Sequence, residues 1–178
     1  MKLYGRNKSL LPGYELEILL ALAYYPELVE TKISFRFDNL KSSGKTRPSI
    51  GSLLKDDDKH FIISLNNNSK RTGVLLAQIP FNSQVGLFGH ELGHIIQMES
   101  KGIAKMTIWV STYLTNLGRR RIERQTDMIT IEHGLGWQLF ELIDFILKNP
   151  RTTLKYRRLK ERYYMQPGEI LDVCNKIY

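Results

Sequence analysis

The sequence predicts an α+β domain, on three observations. Apolar residues alternate with polar ones in the stretch before residue 66, whereas beyond residue 82 they recur at helical spacing. These regimes are segregated, with one leading helix, a few strands and then a run of helices, which is not the alternating order of an α/β chain. A length of 178 residues, with 42% hydrophobic and 25% charged residues, is that of one globular domain able to bury a core. The expected domain is the whole chain, 1–178, with a core at about 31–148 and a basic C-terminal segment at 149–178.

Residues 12–25 read as an amphipathic helix, with Leu16, Leu19, Leu20 and Ala23 at helical spacing, Pro12 in the first turn and Pro26 ending it. Residues 31–37 alternate Ile33, Phe35 and Phe37 with Lys32, Ser34 and Arg36, as in a strand with one wet face. Residues 39–48, rich in serine and glycine and ending at Pro48, read as a turn. A further strand is expected at 60–65, stopped by Asn66, Asn67 and Asn68, and a weaker one at 74–79. The period then changes. Asn82 or Ser83 can cap a helix through Gln97 that Gly102 closes, and further helices are expected at 103–116, 119–133, 137–147 and 167–177.

Charge and cysteine content narrow the class. The net charge is +8, but +6 of it lies in residues 148–162, leaving the remainder close to neutral. That segment interleaves Tyr156, Tyr163 and Tyr164 with its cations, a composition that fits single-stranded nucleic acid, an amphipathic surface helix or a docking segment for an acidic partner. The single cysteine, Cys174, excludes an internal disulfide framework and points to a reducing, cytoplasmic setting. The longest apolar run, 18–23, is too short to span a bilayer, follows Glu15 and Glu17, and lacks a signal-cleavage site. No transmembrane segment is expected. The apolar stretch 106–117, with Trp109 and Tyr113, fits a core or cleft wall better than a membrane interface.

The chemistry is concentrated in His90-Glu91-Leu92-Gly93-His94. Four residues turn a helix by about 400°, so both imidazoles lie on one face, one turn apart, where two ring nitrogens can bind one Zn²⁺. Glu91 projects beside that metal and is placed to act as general base toward water. The chance of such a motif arising at random in this composition is roughly 0.5%, which favours a metal over two unrelated surface histidines. A metzincin continuation would need glycine at 97 and histidine at 100, where the chain has Gln97 and Ser100. The better third ligand is Glu123, with Asp127 one turn later, so that one carboxylate can reach the metal and the other a histidine N–H. His133 competes for that position but lies roughly 80° off the Glu123 face. His60 reads as structural, with an electrophilic role as the alternative. Gly86, Gly89 and Gly93 form one stripe on the helix, which predicts close approach by a neighbouring backbone, the Glu123 helix being the natural candidate.

GHELGH followed by Glu-x-x-x-Asp resembles the gluzincin branch of the zincin metallopeptidases. The match covers residues 90–94 and 123–127, and more loosely the region from the strand near His60 to the helix ending near Leu147. By that resemblance the fold would be a minimal zincin-like core, a small and mostly antiparallel sheet packed on the HExxH helix. His90, His94 and Glu123 would hold Zn²⁺, Glu91 would be the base, and Asp127 would support His90. Thr126 matches a small hydroxyl residue of that family, whereas Ile122 stands where thermolysin-like members have asparagine, and the chain lacks room for their second domain. The implied activity is zinc-dependent hydrolysis of peptide bonds in a peptide or protein substrate. An edge strand of the family binds extended peptides, and residues 60–66 would be that strand here, unless they form an ordinary strand without substrate contact. Two other classes stand beside this reading: an inactive binding or regulatory module on the same fold, and a nucleic-acid-associated protein using its basic tail.

Overall fold

The computed structural model describes residues 3–49, 51, 59–70 and 73–178. Helix α1 (Glu15–Ala23) carries Glu15 and Glu17 in its first turn, where the helix dipole favours negative charge. It buries Ile18, Ala21 and Leu22, and Tyr25 just beyond, a stripe at i, i+3, i+4 and i+7. Most of the expected stripe is turned outward instead, with Leu16 49% and Leu20 36% exposed, while Leu19 packs partly against the core. Both stripes have helical period. The buried one is fixed by Tyr25, whose hydroxyl donates to the Gly89 carbonyl at 2.8 Å.

Four strands, β1 (Lys8–Ser9), β2 (Lys32–Asp38), β3 (Gly44–Pro48) and β4 (His60–Asn66), form one sheet in the order β1-β2-β4-β3. The α+β class holds, but the sheet is mixed and not mostly antiparallel: β1–β2 and β2–β4 are parallel, and only β3–β4 is antiparallel. After β2 the chain crosses to the far edge, lays down β3, and returns as β4 between them, so β4 regains the direction of β2. Alternation of side chains reports which face is wet and is silent about the neighbour, which is why the pairing could not be read. Two further expectations fall with it. Part of the expected turn at 39–48 is strand β3, whose terminal Pro48 is tolerated at a sheet edge. Residues 60–66 are an interior strand paired on both sides, so among the described residues the edges of the sheet are the two-residue β1 and the longer β3. Residues 74–79 form no strand; they contain a short 3₁₀ turn, Leu76–Gln78, whose carbonyl end is tied down by Gln84 Nε2 donating to Leu76 O and Ile79 O.

Helix α2 (Phe81–Glu99) runs through the middle of the molecule and is buried over most of its length. It starts directly after Pro80 with no side-chain cap, so neither Asn82 nor Ser83 serves, and Gly102 precedes α3 (Ile103–Tyr113) without closing α2. Thr115 caps α4 (Asn116–Thr130), its Oγ1 accepting from Gly118 N. A π-helical turn, Ile131–Leu135, then breaks direction at Gly134, whose φ of +87° suits glycine, and leads into α5 (Gly136–Lys148). Helices α6 (Leu154–Tyr163) and α7 (Pro167–Ile177) complete the chain.

The glycine stripe of α2 does mark close approach, by two partners in succession. A Cβ on Gly93 would lie 3.1 Å from Thr126 Cγ2 in α4, whereas one on Gly86 would lie 2.3 Å from the Gln138 carbonyl oxygen in α5. Gly89 lies between them, near Leu135 and Thr130, so the Glu123 helix is met at Gly93 and Gly89 but not at Gly86. One buried cluster runs from Leu11 to Cys174, so the core extends past 31–148 on both sides. Tyr156, Tyr163 and Tyr164 belong to it, which withdraws them from base stacking. The Tyr156 hydroxyl donates to Ser43 Oγ at 3.0 Å and accepts from Ser43 N at 3.1 Å, tying α6 to the start of β3. Among the described residues no helix is long and apolar enough to cross a membrane.

Candidate metal centre

Helical spacing on α2 brings His90 and His94 side by side, ring centroids 4.9 Å apart, and α4 delivers Glu123 against them. Glu123 Oε2 lies 3.2 Å from His90 Nε2 and 3.4 Å from His94 Nε2, with all three side chains buried. Ligand atoms about 2.0–2.1 Å from a tetrahedral ion stand roughly 3.3–3.4 Å from one another, so this spacing fits a zinc-sized cation. The three ligand atoms lie within 4.8 Å of one another, and among the described residues no other cluster of this kind occurs.

Helix α4 supplies more than Glu123. Asp127 Oδ1 lies 2.9 Å from His90 Nδ1, within hydrogen-bond reach of that ring nitrogen. Asp127 Oδ2 accepts from Met165 N at 2.9 Å, which anchors the carboxylate to the segment between α6 and α7. Thr126 Oγ1 sits 3.1 Å from His94 Nδ1 and 2.9 Å from Ile122 O. It thus accepts the imidazole N–H while donating its own proton onward. Both histidines are in this way held through Nδ1, leaving Nε2 for a cation. Close contact at Gly93 makes this possible, because a bulkier residue there would push Thr126 and Asp127 away. Asp127→Ala is expected to weaken zinc binding by about 10–100-fold while the protein stays folded, as measured by competition with a chromogenic chelator.

Charge in the centre follows the same contacts. Burial alone would lower the His90 pKa, but the Asp127 and Glu123 carboxylates outweigh it and raise it to about 9. Burial would likewise raise Glu123, and the two imidazoles instead hold it well below the usual carboxylate range. On the outer side, the Tyr113 hydroxyl donates to Glu123 Oε1, and Arg119 Nε stands 3.7 Å from the same oxygen. The Arg119 guanidinium lies 5.4 Å from the Tyr113 ring centre and 4.6 Å from that of Tyr163. Burial and the neighbouring Glu123 push the Tyr113 hydroxyl up, so it remains a donor. The apolar stretch 106–117 marks Tyr113 as core or cleft wall, but its contact with Glu123, and that of Arg119, comes only from the fold.

Glu91 faces β3. Thr46 Oγ1 lies 2.6 Å from Glu91 Oε2 and 3.1 Å from its main-chain oxygen, while a Cβ on Gly44 would fall 2.3 Å from Oε1. The edge strand therefore positions the expected base, a relation hidden from the sequence because β3 reads there as a turn. Gly44→Ala is expected to displace the Glu91 carboxylate and lower any hydrolytic rate by about tenfold or more, with zinc content unchanged. Steady-state kinetics beside metal analysis checks this.

A cleft of about 470 Å³ opens over the centre, walled by β3 on one side and α3 on the other, and reached by Glu91, His94, Glu123, Arg119 and Tyr164. A larger depression of about 830 Å³ beside α5 contains none of these groups and is not the site. The remaining histidines lie elsewhere. His60 Nε2 is 2.8 Å from Ser34 Oγ, and His133 stacks on Tyr25 with Nε2 2.7 Å from Glu27 Oε1. No protein-family model matches the chain, and no curated protein or solved structure does either.

Proposed function

We propose that the chain is a zinc-dependent metallopeptidase in which His90, His94 and Glu123 hold the metal and Glu91 is the general base. The observation that carries this reading is a buried set of two imidazoles and one carboxylate, with a separate carboxylate facing the same cleft. Two nitrogen donors and one oxygen donor suit zinc, and a site built from three protein ligands is of the catalytic type. Zinc held there would supply the Lewis acidity that polarises a peptide carbonyl and acidifies water. Glu91, oriented by Thr46, takes the proton from the attacking water and passes it to the departing amine. Arg119, whose guanidinium borders the cleft on the Glu123 side, would stabilise negative charge that develops on the attacked carbonyl, while Tyr113 keeps its one hydroxyl proton on Glu123.

The substrate in this reading is an extended peptide or protein segment that adds to the free edge of β3. An edge strand that takes up peptide, as the gluzincin resemblance implies, would here be β3, the edge strand that borders the cleft. A cytoplasmic setting belongs to the same reading, since a chain with a single cysteine holds no internal disulfide framework. Zinc-loaded protein is expected to cleave an unfolded protein substrate, to lose activity with a chelator, and to regain it when zinc is restored. Full zinc occupancy without cleavage of any substrate in a diverse peptide mixture contradicts the proposal.

A further inference from the structure

Two main-chain bonds set the phase of the open edge: Asn66 N donates to Ser43 O at 2.9 Å, and Ser49 N to His60 O at 2.7 Å. In an antiparallel pair this puts Lys45 and Arg47 among the residues bonded to β4, so the amide and carbonyl of Thr46 point away from it. A peptide pairing with that edge places successive side chains on opposite faces of the sheet. The two faces differ sharply in chemistry.

The inner face, shared by Thr46, Ile63 and Phe35, leads into the cleft. There the facing wall is α3, which presents Met106, Trp109 and Val110, with Leu114 just beyond its end. Along its rim Ile103, Val110 and Leu114, at i, i+7 and i+11, are 56%, 47% and 82% exposed, an apolar stripe larger than a surface helix needs. The outer face carries Lys45 and Arg47 on β3, with Arg36 two strands away through the Lys45–Ser64–Arg36 register. Arg36 is paired with Asp38, but among the described residues no carboxylate pairs with Lys45 or Arg47.

We infer that the cleft selects peptide segments in which bulky apolar and acidic side chains alternate, apolar toward α3 and acidic toward Lys45 and Arg47. This rests on the peptidase reading and specifies its substrate class. Cross-strand neighbours of opposite charge favour one another and like charges repel, so the outer face discriminates against basic segments as well as attracting acidic ones. The inner face contributes through burial of apolar area against α3.

The test uses the zinc-loaded Glu91→Gln protein, which can bind without cutting, and blocked fluorescent peptides read by anisotropy. One peptide alternates Leu and Glu, a second replaces Glu by Lys, and a third replaces Leu by Ser. The Leu–Glu peptide is expected to bind about tenfold more tightly than either other peptide at low salt, with its margin over the Lys peptide shrinking as salt rises. Combining Lys45→Glu with Arg47→Glu is expected to reverse the order of the Glu and Lys peptides. Equal affinities, an unchanged order in the charge-reversed protein, or no binding of any peptide overturns the inference. If the order holds but zinc-loaded wild-type protein leaves the Leu–Glu peptide uncut, the hydrolytic reading fails and the recognition stands.

Discussion

Glu91→Gln is expected to retain zinc at wild-type stoichiometry while losing peptide hydrolysis by a factor of about 10²–10⁴, the usual contribution of a positioned general base. Glutamine keeps the shape of the side chain and can still meet Thr46 Oγ1, so β3 and α2 should stay in register. What it cannot do is accept a proton from water. His94→Ala is the contrasting variant: it removes one of the three donors, and both zinc and activity should be lost. Metal analysis alongside a fluorogenic peptide assay separates the two outcomes. Undiminished turnover in Glu91→Gln would remove Glu91 from the mechanism.

The second large effect concerns the fold. Gly86→Val would drive a Cβ to 2.3 Å from Gln138 O and 2.5 Å from Gln138 C, both main-chain atoms of α5. No flexible side chain is available to move aside, so α2 and α5 must separate. Overpacking of this kind is expected to cost about 3 kcal/mol, lowering the urea midpoint by roughly 1–2 M. Gly168→Ala is the control: in the first turn of α7 nothing lies within 4 Å of the added Cβ, and stability should be unchanged or slightly raised. Matched unfolding curves for the two variants test whether the glycine stripe reflects helix contact.

The His90–His94–Glu123 cluster was more legible than the sheet around it, and the reason is range. Two histidines four residues apart, and two carboxylates at the same spacing, are fixed by the geometry of single helices, which local sequence encodes directly. The approach of α4 was also signalled, through Gly93, because close helix contact removes side-chain volume at a definite place. The identity of α5 as the partner of Gly86 was not, since that depends on the turn at Gly134 redirecting the chain. Strand β3 is hidden in the sequence because Gly44 and Pro48 are turn residues by propensity, yet both suit their positions. Gly44 makes room for Glu91, and Pro48 closes an edge strand. In α1 two apolar stripes of equal period were present, and the choice between them was made by a long-range bond from Tyr25 to Gly89. The tyrosines of the basic tail illustrate the same limit: their spacing among cations suits a nucleic-acid surface, but Tyr156 and Tyr164 pack inside the core, on Ser43 and His90 respectively.

A crystal structure of the zinc-loaded protein, with anomalous data collected at the zinc edge, addresses the central claim most directly. The account predicts one ion within about 2.0–2.2 Å of His90 Nε2, His94 Nε2 and Glu123, a solvent molecule completing its coordination on the cleft side, and the Glu91 carboxylate beside that solvent. Zinc bound elsewhere, or bound here with a fourth side chain filling the cleft-side position, would contradict it.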